Sequence, residues 1–120
     1  MPALRKYLAF DIETASTVQG SDWRESRPLG ITCAAALASD TPDKPILWHG
    51  VTPDGAPAGR MSRDEVRGVI KELTAHLAQG YTLLTWNGAG FDFDVLAEEG
   101  EAYPECRQLA RDHVDMMFHV

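Results

Sequence analysis

The segment that most constrains the fold is one well-marked helix in the middle of the chain. Ser62 opens it with Glu65 three residues later, the spacing of a capping box, and Gly80 ends it. Its apolar residues recur at helical spacing on one face, at Val66, Val69, Ile70, Leu73 and Leu77. Because such a face must be covered by another layer, we expect the apolar runs on either side of the helix to form a sheet.

Three apolar runs precede this helix, and their patterns predict β-strands at residues 6–13, 30–38 and 45–52. The alanine content of the second run leaves a helix open there. Short links between the runs favour an antiparallel meander, with loops predicted at residues 17–28 and 53–60.

The order of elements after the helix predicts parallel strands. We expect a fourth strand at residues 81–86, a second helix from about 91 to 99, a short helix after Pro104 and a fifth strand at 113–120. The chain is thus predicted to be a single α/β domain over residues 1–120. Its mixed five-stranded sheet begins with the three-stranded meander and continues as helix, strand, helix and strand.

The composition is that of an acidic globular protein, with 120 residues, a formal net charge of -7 and 44% hydrophobic residues. No run is rich in Lys and Arg, which is weak evidence against nonspecific DNA binding. Cys33 and Cys106 lack the spacing of a metal or redox pair, which predicts free thiols in a reducing compartment. No stretch approaches membrane-spanning length, so we expect a soluble, cytoplasmic protein.

Two acids occupy the first predicted strand. Asp11 and Glu13 share one face of it, because side chains two apart on a strand point the same way. At about 6 to 7 Å and an effective dielectric of about 20, their charges repel by roughly 2 to 3 kcal/mol. A raised pKa, a basic partner such as Arg24 or Arg27, or a cation would offset that repulsion. Carboxylates with few nearby His or Cys favour Mg²⁺ or Mn²⁺.

A second acidic segment follows the fourth predicted strand, in the sequence WNGAGFDFDVLAEE. The strand ends at Asn87, glycines turn the chain, and Asp92 opens the next helix. Leu96, one helical turn later, would hold Asp92 on the apolar side and aim its carboxylate at the carboxyl ends of the central strands, near the acids of the first strand. The structural alternative is that Asp92 complements the helix dipole and that Asn87 caps the turn.

These two segments resemble motifs of the DEDD 3'-5' exonucleases of the ribonuclease H-like fold. AFDIETA resembles the family's first motif, and WNGAGFDFDVL resembles the second in the form found in proofreading domains of family B DNA polymerases. The family's Asn, Phe-Asp and apolar positions correspond to Asn87, Phe91, Asp92 and Leu96.

The resemblance implies hydrolysis of phosphodiester bonds at nucleic-acid 3' ends by two ions, Mg²⁺ or Mn²⁺. It implies that Asp11 bridges both ions, that Glu13 holds the ion on the nucleophile's side, and that Asp92 binds the second ion. Single-stranded DNA is the expected substrate, with RNA as the alternative. The expected substrate-binding residues are Asn87, Phe91 and Thr14.

The family also carries a fourth acid on a further helix, preceded by Tyr at four residues or His at five. Neither spacing occurs after Asp92. We therefore expect that this chain lacks the helix with the fourth acid and is inactive or weakly active by itself. Asp115 lies where relatives often carry an acid that is not a metal ligand.

Two other functions fit part of the sequence. The haloacid dehalogenase-like phosphatases also begin with an apolar strand that ends in acids, and use the first Asp as a covalent nucleophile. FDIET differs from their pattern by having Glu at the second acidic position, and the Asn87 segment would stay unexplained. A ribonuclease H-like module that only binds nucleic acid or protein is the non-catalytic alternative.

Overall fold

The computed structural model describes residues 5–16, 20, 22–86 and 88–116. Within these ranges the fold is α/β, with one mixed sheet and three α-helices. The strands are β1 (Lys6–Thr14), β2 (Ile31–Ala38), β3 (Ile46–Val51), β4 (Pro57–Ala58), β5 (Tyr81–Thr85) and β6 (His113–Asp115). The helices are α1 (Arg63–Ala78), α2 (Phe93–Gly100) and α3 (Tyr103–Arg111).

The sheet has the strand order β4-β3-β2-β1-β5-β6. β1, β2 and β3 pair antiparallel, which confirms the predicted meander. β5 pairs parallel with β1, and β6 pairs parallel with β5, with helices between them along the chain. The carboxyl ends of β1, β5 and β6 therefore lie at one edge of the sheet.

The strand predicted at residues 30–38 is confirmed as β2, and the helix left open there does not form, since alternate residues of β2 are buried against β1. Two other expectations differ from the structure. The predicted count of five strands was wrong, because β4 forms within the expected loop at 53–60 and pairs with β3. The last predicted strand, 113–120, ends at Asp115 in the structure, and residues 117–120 lie outside the described part.

Burial alternates along β1 and divides the sheet into two faces. Leu8, Phe10 and Ile12 are buried, and they face Ala38, Ala36 and Ala34 of β2 across the ladder. All three helices contribute buried side chains to this same core. The opposite face, which we call the open face, carries exposed residues from β1, β2 and β3 in the described part of the chain. They are Ala9, Asp11, Glu13, Ala35, Leu37, Leu47, His49 and Val51.

The predicted capping box of α1 is present. The Ser62 hydroxyl accepts a hydrogen bond from the Glu65 N–H at 3.1 Å, and the Glu65 carboxylate accepts one from the Ser62 N–H at 2.8 Å. This second bond holds the pKa of Glu65 below its ordinary value. The same carboxylate accepts from the Val51 N–H, which attaches the end of β3 to the start of α1.

Cys33 and Cys106 are both free thiols, as predicted. Cys106 lies in the core, and burial raises its pKa to about 12. Among the described residues, no helix is both long enough and apolar enough to cross a membrane.

Candidate active site

Asp11 and Glu13 lie next to each other on the open face of β1, as the strand periodicity predicted. Both are exposed, and β1 is flanked on either side by β2 and β5. The regular pairing of β1 with β2 is interrupted between Glu13 and Thr14. The two carboxylates therefore lie in the last regular part of the strand, on a face that solvent and solutes can reach.

Thr14 lies at the end of β1, where the sequence resemblance predicted a substrate contact. Its hydroxyl donates a hydrogen bond to the Ser16 carbonyl at 3.1 Å, so in this structure it supports the turn that leaves the strand. Asn87, the second predicted contact, lies outside the described residues.

A single π-helical turn, Gly88–Asp92, connects β5 to α2, so α2 begins at Phe93 and not at residue 91 as expected. The Gly88 N–H donates to the Thr85 hydroxyl at 3.1 Å. A Cβ atom at Gly88 would collide with the Thr85 side chain, which explains why the turn needs glycine there. Turns of this kind are frequent at functional sites, and this one positions Asp92.

The Asp92 carboxyl is buried, with only 3% of the residue exposed. Its Oδ2 atom has no hydrogen-bond partner among the described residues. Burial, followed by the negative charges of Asp11 and Asp115, raises the pKa of Asp92 to about 7. Asp92 therefore lies within electrostatic reach of Asp11 in the folded chain.

Asp115 is a neighbour of this site that sequence reasoning left out of the catalytic set. It is buried at the carboxyl end of β6, in register with Thr85 of β5. The sequence did contain a signal for Asp115, because an acid within an otherwise apolar strand is unusual. Only the sheet order shows that β6 lies next to β5.

Phe91 is half-buried beside Asp92, and a short 3-10 turn, Trp23–Ser26, covers it. The rings of Trp23 and Phe91 meet edge to face with centroids 5.1 Å apart. The Arg24 guanidinium lies 4.9 Å from the Trp23 ring centroid and 3.7 Å from the Asp94 carboxylate. The turn thus places an aromatic pair and a cation next to the start of α2.

The basic partners suggested for the two acids of β1 are engaged elsewhere. Arg24 pairs with Asp22 and Asp94, and Arg27 pairs with Glu98 at 3.8 Å. These pairs are long and largely exposed, so they fix the loop only weakly.

No group of three or more His, Cys, Asp and Glu side chains in the described part of the chain is arranged to hold a metal ion. The properties of the individual acids nevertheless fit a hard divalent cation. All the candidate donors are carboxylate oxygens, one oxygen of Asp92 is buried without a partner, and Asp11 opposes the ionisation of Asp92. A cation with oxygen preference would relieve that repulsion.

The same fold is found in solved structures of known proteins. One is the family B DNA polymerase from the hyperthermophilic archaeon Pyrobaculum calidifontis, at 22% identity and a TM-score of 0.58, covering 86% of this chain and 12% of the polymerase chain. Another is exonuclease I in complex with the inhibitor BCBP, at 14% identity and a TM-score of 0.59, covering 98% of this chain and 30% of that chain. No family model and no curated protein matches the chain.

These likenesses establish the fold. The chain shares the α/β fold of these two structures, which is the ribonuclease H-like fold that the resemblance of its two acidic motifs predicted. It spans less than a third of either solved chain, so the activities of those proteins are not transferred by the fold alone.

Proposed function

We propose that this chain is a metal-dependent 3'-5' exonuclease domain that hydrolyses phosphodiester bonds at nucleic-acid 3' ends. The observation that carries the proposal is the convergence of acids from separate elements, Asp11 from β1 and Asp92 from the π turn, on one edge of the sheet. Both acids belong to segments that resemble motifs of the DEDD exonucleases. The chain also shares its fold with a DNA polymerase and with exonuclease I, which supports this resemblance.

Asp11, Glu13 and Asp92 would hold two Mg²⁺ or Mn²⁺ ions. When bound, such ions activate water and stabilise the negative charge that develops on the phosphate and the leaving oxygen. Asp11 and Glu13 contribute oxygens that already face solvent, so a nucleic-acid strand can approach them from the open face. Asp92 contributes an oxygen that burial keeps dry, which strengthens its interaction with any nearby charge.

Other side chains of the chain would orient the strand. Phe91 and Trp23 form an apolar wall beside Asp92, and Arg24 adds a positive charge that a phosphate could use in place of its long pairs with Asp22 and Asp94. Asn87 and Thr14 are proposed substrate contacts from the resemblance alone. Single-stranded DNA is the proposed substrate, with RNA as the alternative.

Metal binding provides the first test. Millimolar Mn²⁺ should raise the melting temperature of the wild-type chain, because an ion that binds only the folded state stabilises it. Asp92→Asn should abolish this rise. Asp94→Asn is the matched control, since Asp94 lies two residues away on the exposed side of α2 and should keep the rise. An equal rise in all three proteins would contradict the proposed ligand set.

Activity provides the second test, on single-stranded DNA labelled in turn at either end. Slow, Mn²⁺-dependent shortening from the 3' end that disappears in Asp11→Ala would support the function. Shortening that survives Asp11→Ala would refute it. Trapping of an aspartyl-phosphate analogue at Asp11 would favour the phosphatase alternative, and metal-independent binding without cleavage would favour the non-catalytic module.

A further inference from the structure

Trp86 differs from the other two tryptophans in its surroundings. Trp23 packs against Phe91, and Trp48 packs against the core and donates its indole N–H to a carboxylate. Trp86 is 60% exposed, and it makes no ring contact with any other residue that the structure describes. A large aromatic ring left in solvent is uncommon enough to need an explanation.

The position of Trp86 follows from the register of the parallel strands. Ala9 of β1 pairs with Leu84 of β5, and Asp11 lies two residues further along β1. Trp86 is the first residue after the end of β5, where Leu83 and Thr85 are buried and Trp86 itself is exposed. β5 pairs parallel with β1, so the carboxyl ends of both strands meet at one edge of the sheet. An exposed indole therefore lies at the same edge of the sheet as a candidate metal-binding carboxylate.

We propose that Trp86 is a substrate-binding residue that stacks on a nucleobase next to the bond to be cut. The inference rests on the proposed function and adds to it a reason for acting on unpaired strands. A base in a duplex is already stacked on both faces, whereas a base in a single strand can lay its flat face on an indole. The large exposed hydrophobic side chains of the open face, Leu37, Leu47 and Val51, lie on β2 and β3 and have no ring to stack.

The chemistry of the site favours a base over an apolar protein segment at this position. Asp11 and Glu13 are exposed on β1, the strand that pairs with β5. An apolar segment that covered Trp86 and this edge of the sheet would desolvate the Asp11 carboxylate. A nucleotide brings a planar apolar base and a phosphate together, so its base can cover the indole while its phosphate meets the ions that Asp11 would hold. The ring needs no sequence-specific contacts, so binding should depend little on base identity.

Fluorescence tests the stacking directly. With Ca²⁺ present, single-stranded oligo-dT should quench the tryptophan emission of the wild-type chain, and Trp86→Phe should lose that quenching. Trp48→Phe is the matched control and should keep it, because Trp48 packs against the core and has no proposed substrate contact. An oligomer of abasic sugar-phosphate should give no quenching. Equal quenching in the two single variants, or none in the wild type at saturating oligo-dT, would overturn the proposal.

Affinity and kinetics separate stacking from a structural role. We expect Trp86→Ala to weaken oligo-dT binding about tenfold, the order expected from losing one stacked base, and Trp86→Phe to recover most of the loss. In the cleavage assay KM should rise with little change in kcat, and the preference for single strands over blunt duplex should fall. Unchanged affinity in Trp86→Ala would refute the inference, as would a loss that Trp86→Phe does not recover.

The binding arm distinguishes this proposal from the proposed function. Asp11→Asn is expected to end cleavage and to keep the Trp86 quenching at saturating oligo-dT, since stacking itself needs no ion. If cleavage proves independent of Asp11 while the quenching still depends on Trp86, the exonuclease proposal fails and the stacking site stands. If cleavage depends on Asp11 but the quenching does not depend on Trp86, the exonuclease proposal stands and the stacking site fails.

Discussion

The Asp92 carboxyl is a single group in which stability and the proposed activity conflict. Its burial and its nearness to Asp11 and Asp115 favour the neutral form, yet metal binding needs the charged form. Such strained groups are common where a site is arranged for a ligand that the bare protein does not supply. The strain should be visible as a pH dependence of folding in the absence of divalent ions.

We expect the metal-free chain to lose stability as the pH rises from about 4 to about 7. The folded-state pKa of Asp92 is about 7 against an ordinary value of 3.8, so the folded protein binds more protons than the unfolded one between these values. The loss is at most about 4 kcal/mol in the free energy of unfolding, at roughly 1.4 kcal/mol per pKa unit. Urea unfolding in EDTA at several pH values measures it.

Asp92→Asn is the variant that isolates this effect. Because an amide does not titrate, the free energy of unfolding of the variant should vary less with pH. Near pH 8 it should equal or exceed the free energy of unfolding of the wild type. Asp94→Asn should follow the wild-type slope, since its carboxylate is half-exposed and paired with Arg24. A wild-type slope in Asp92→Asn would mean that other groups cause the pH dependence.

The sequence was informative about Asp11, Glu13 and Asp92 because strand alternation and helix phase fix the side on which a side chain points. It did not show that Asp115 lies near Asp92, because the position of β6 next to β5 is a property of the whole sheet. The exposure of Trp86 likewise depends on the packing of the whole chain, which no local pattern states.

At the scale of elements, the three helices and five of the six strands were predicted, whereas β4 and the π turn were not. The capping box and the apolar stripe specify α1 by themselves. The two-residue strand β4 exists only because β3 lies beside it, and the π turn exists only because Gly88 can approach Thr85. Elements whose hydrogen bonds come from distant segments cannot be seen in a local window.

Two glycines allow the importance of the π turn to be measured. Gly88→Ala should destabilise the fold by about 1 to 3 kcal/mol, because its Cβ would collide with the Thr85 side chain. Gly68→Ala is the matched substitution within α1, where an added Cβ meets nothing within 4 Å. It should stabilise the fold by about 0.5 to 1 kcal/mol through helix propensity. Denaturant unfolding compares the two, and equal effects would argue against the close approach at the turn.

At the scale of the whole molecule, the described helices pack on one face of the sheet, and Asp11 and Glu13 lie on the other. Asp92 lies at the edge of the sheet, where the π turn leads into α2. This separation lets the core be built from Leu, Ile and Ala while the open face keeps the acids of β1.

The one-sided core makes a prediction about two leucines in the same sheet. Leu47 on the open face is 69% exposed, and Leu83 on β5 is fully buried. Leu47→Gln should change the free energy of unfolding by no more than about 0.5 kcal/mol, whereas Leu83→Ala should cost about 2 to 5 kcal/mol. Urea unfolding at two protein concentrations measures both. A large, concentration-dependent loss in Leu47→Gln would show that a second copy covers the open face in solution, and a strand could then reach Asp11 and Glu13 only after the copies separate.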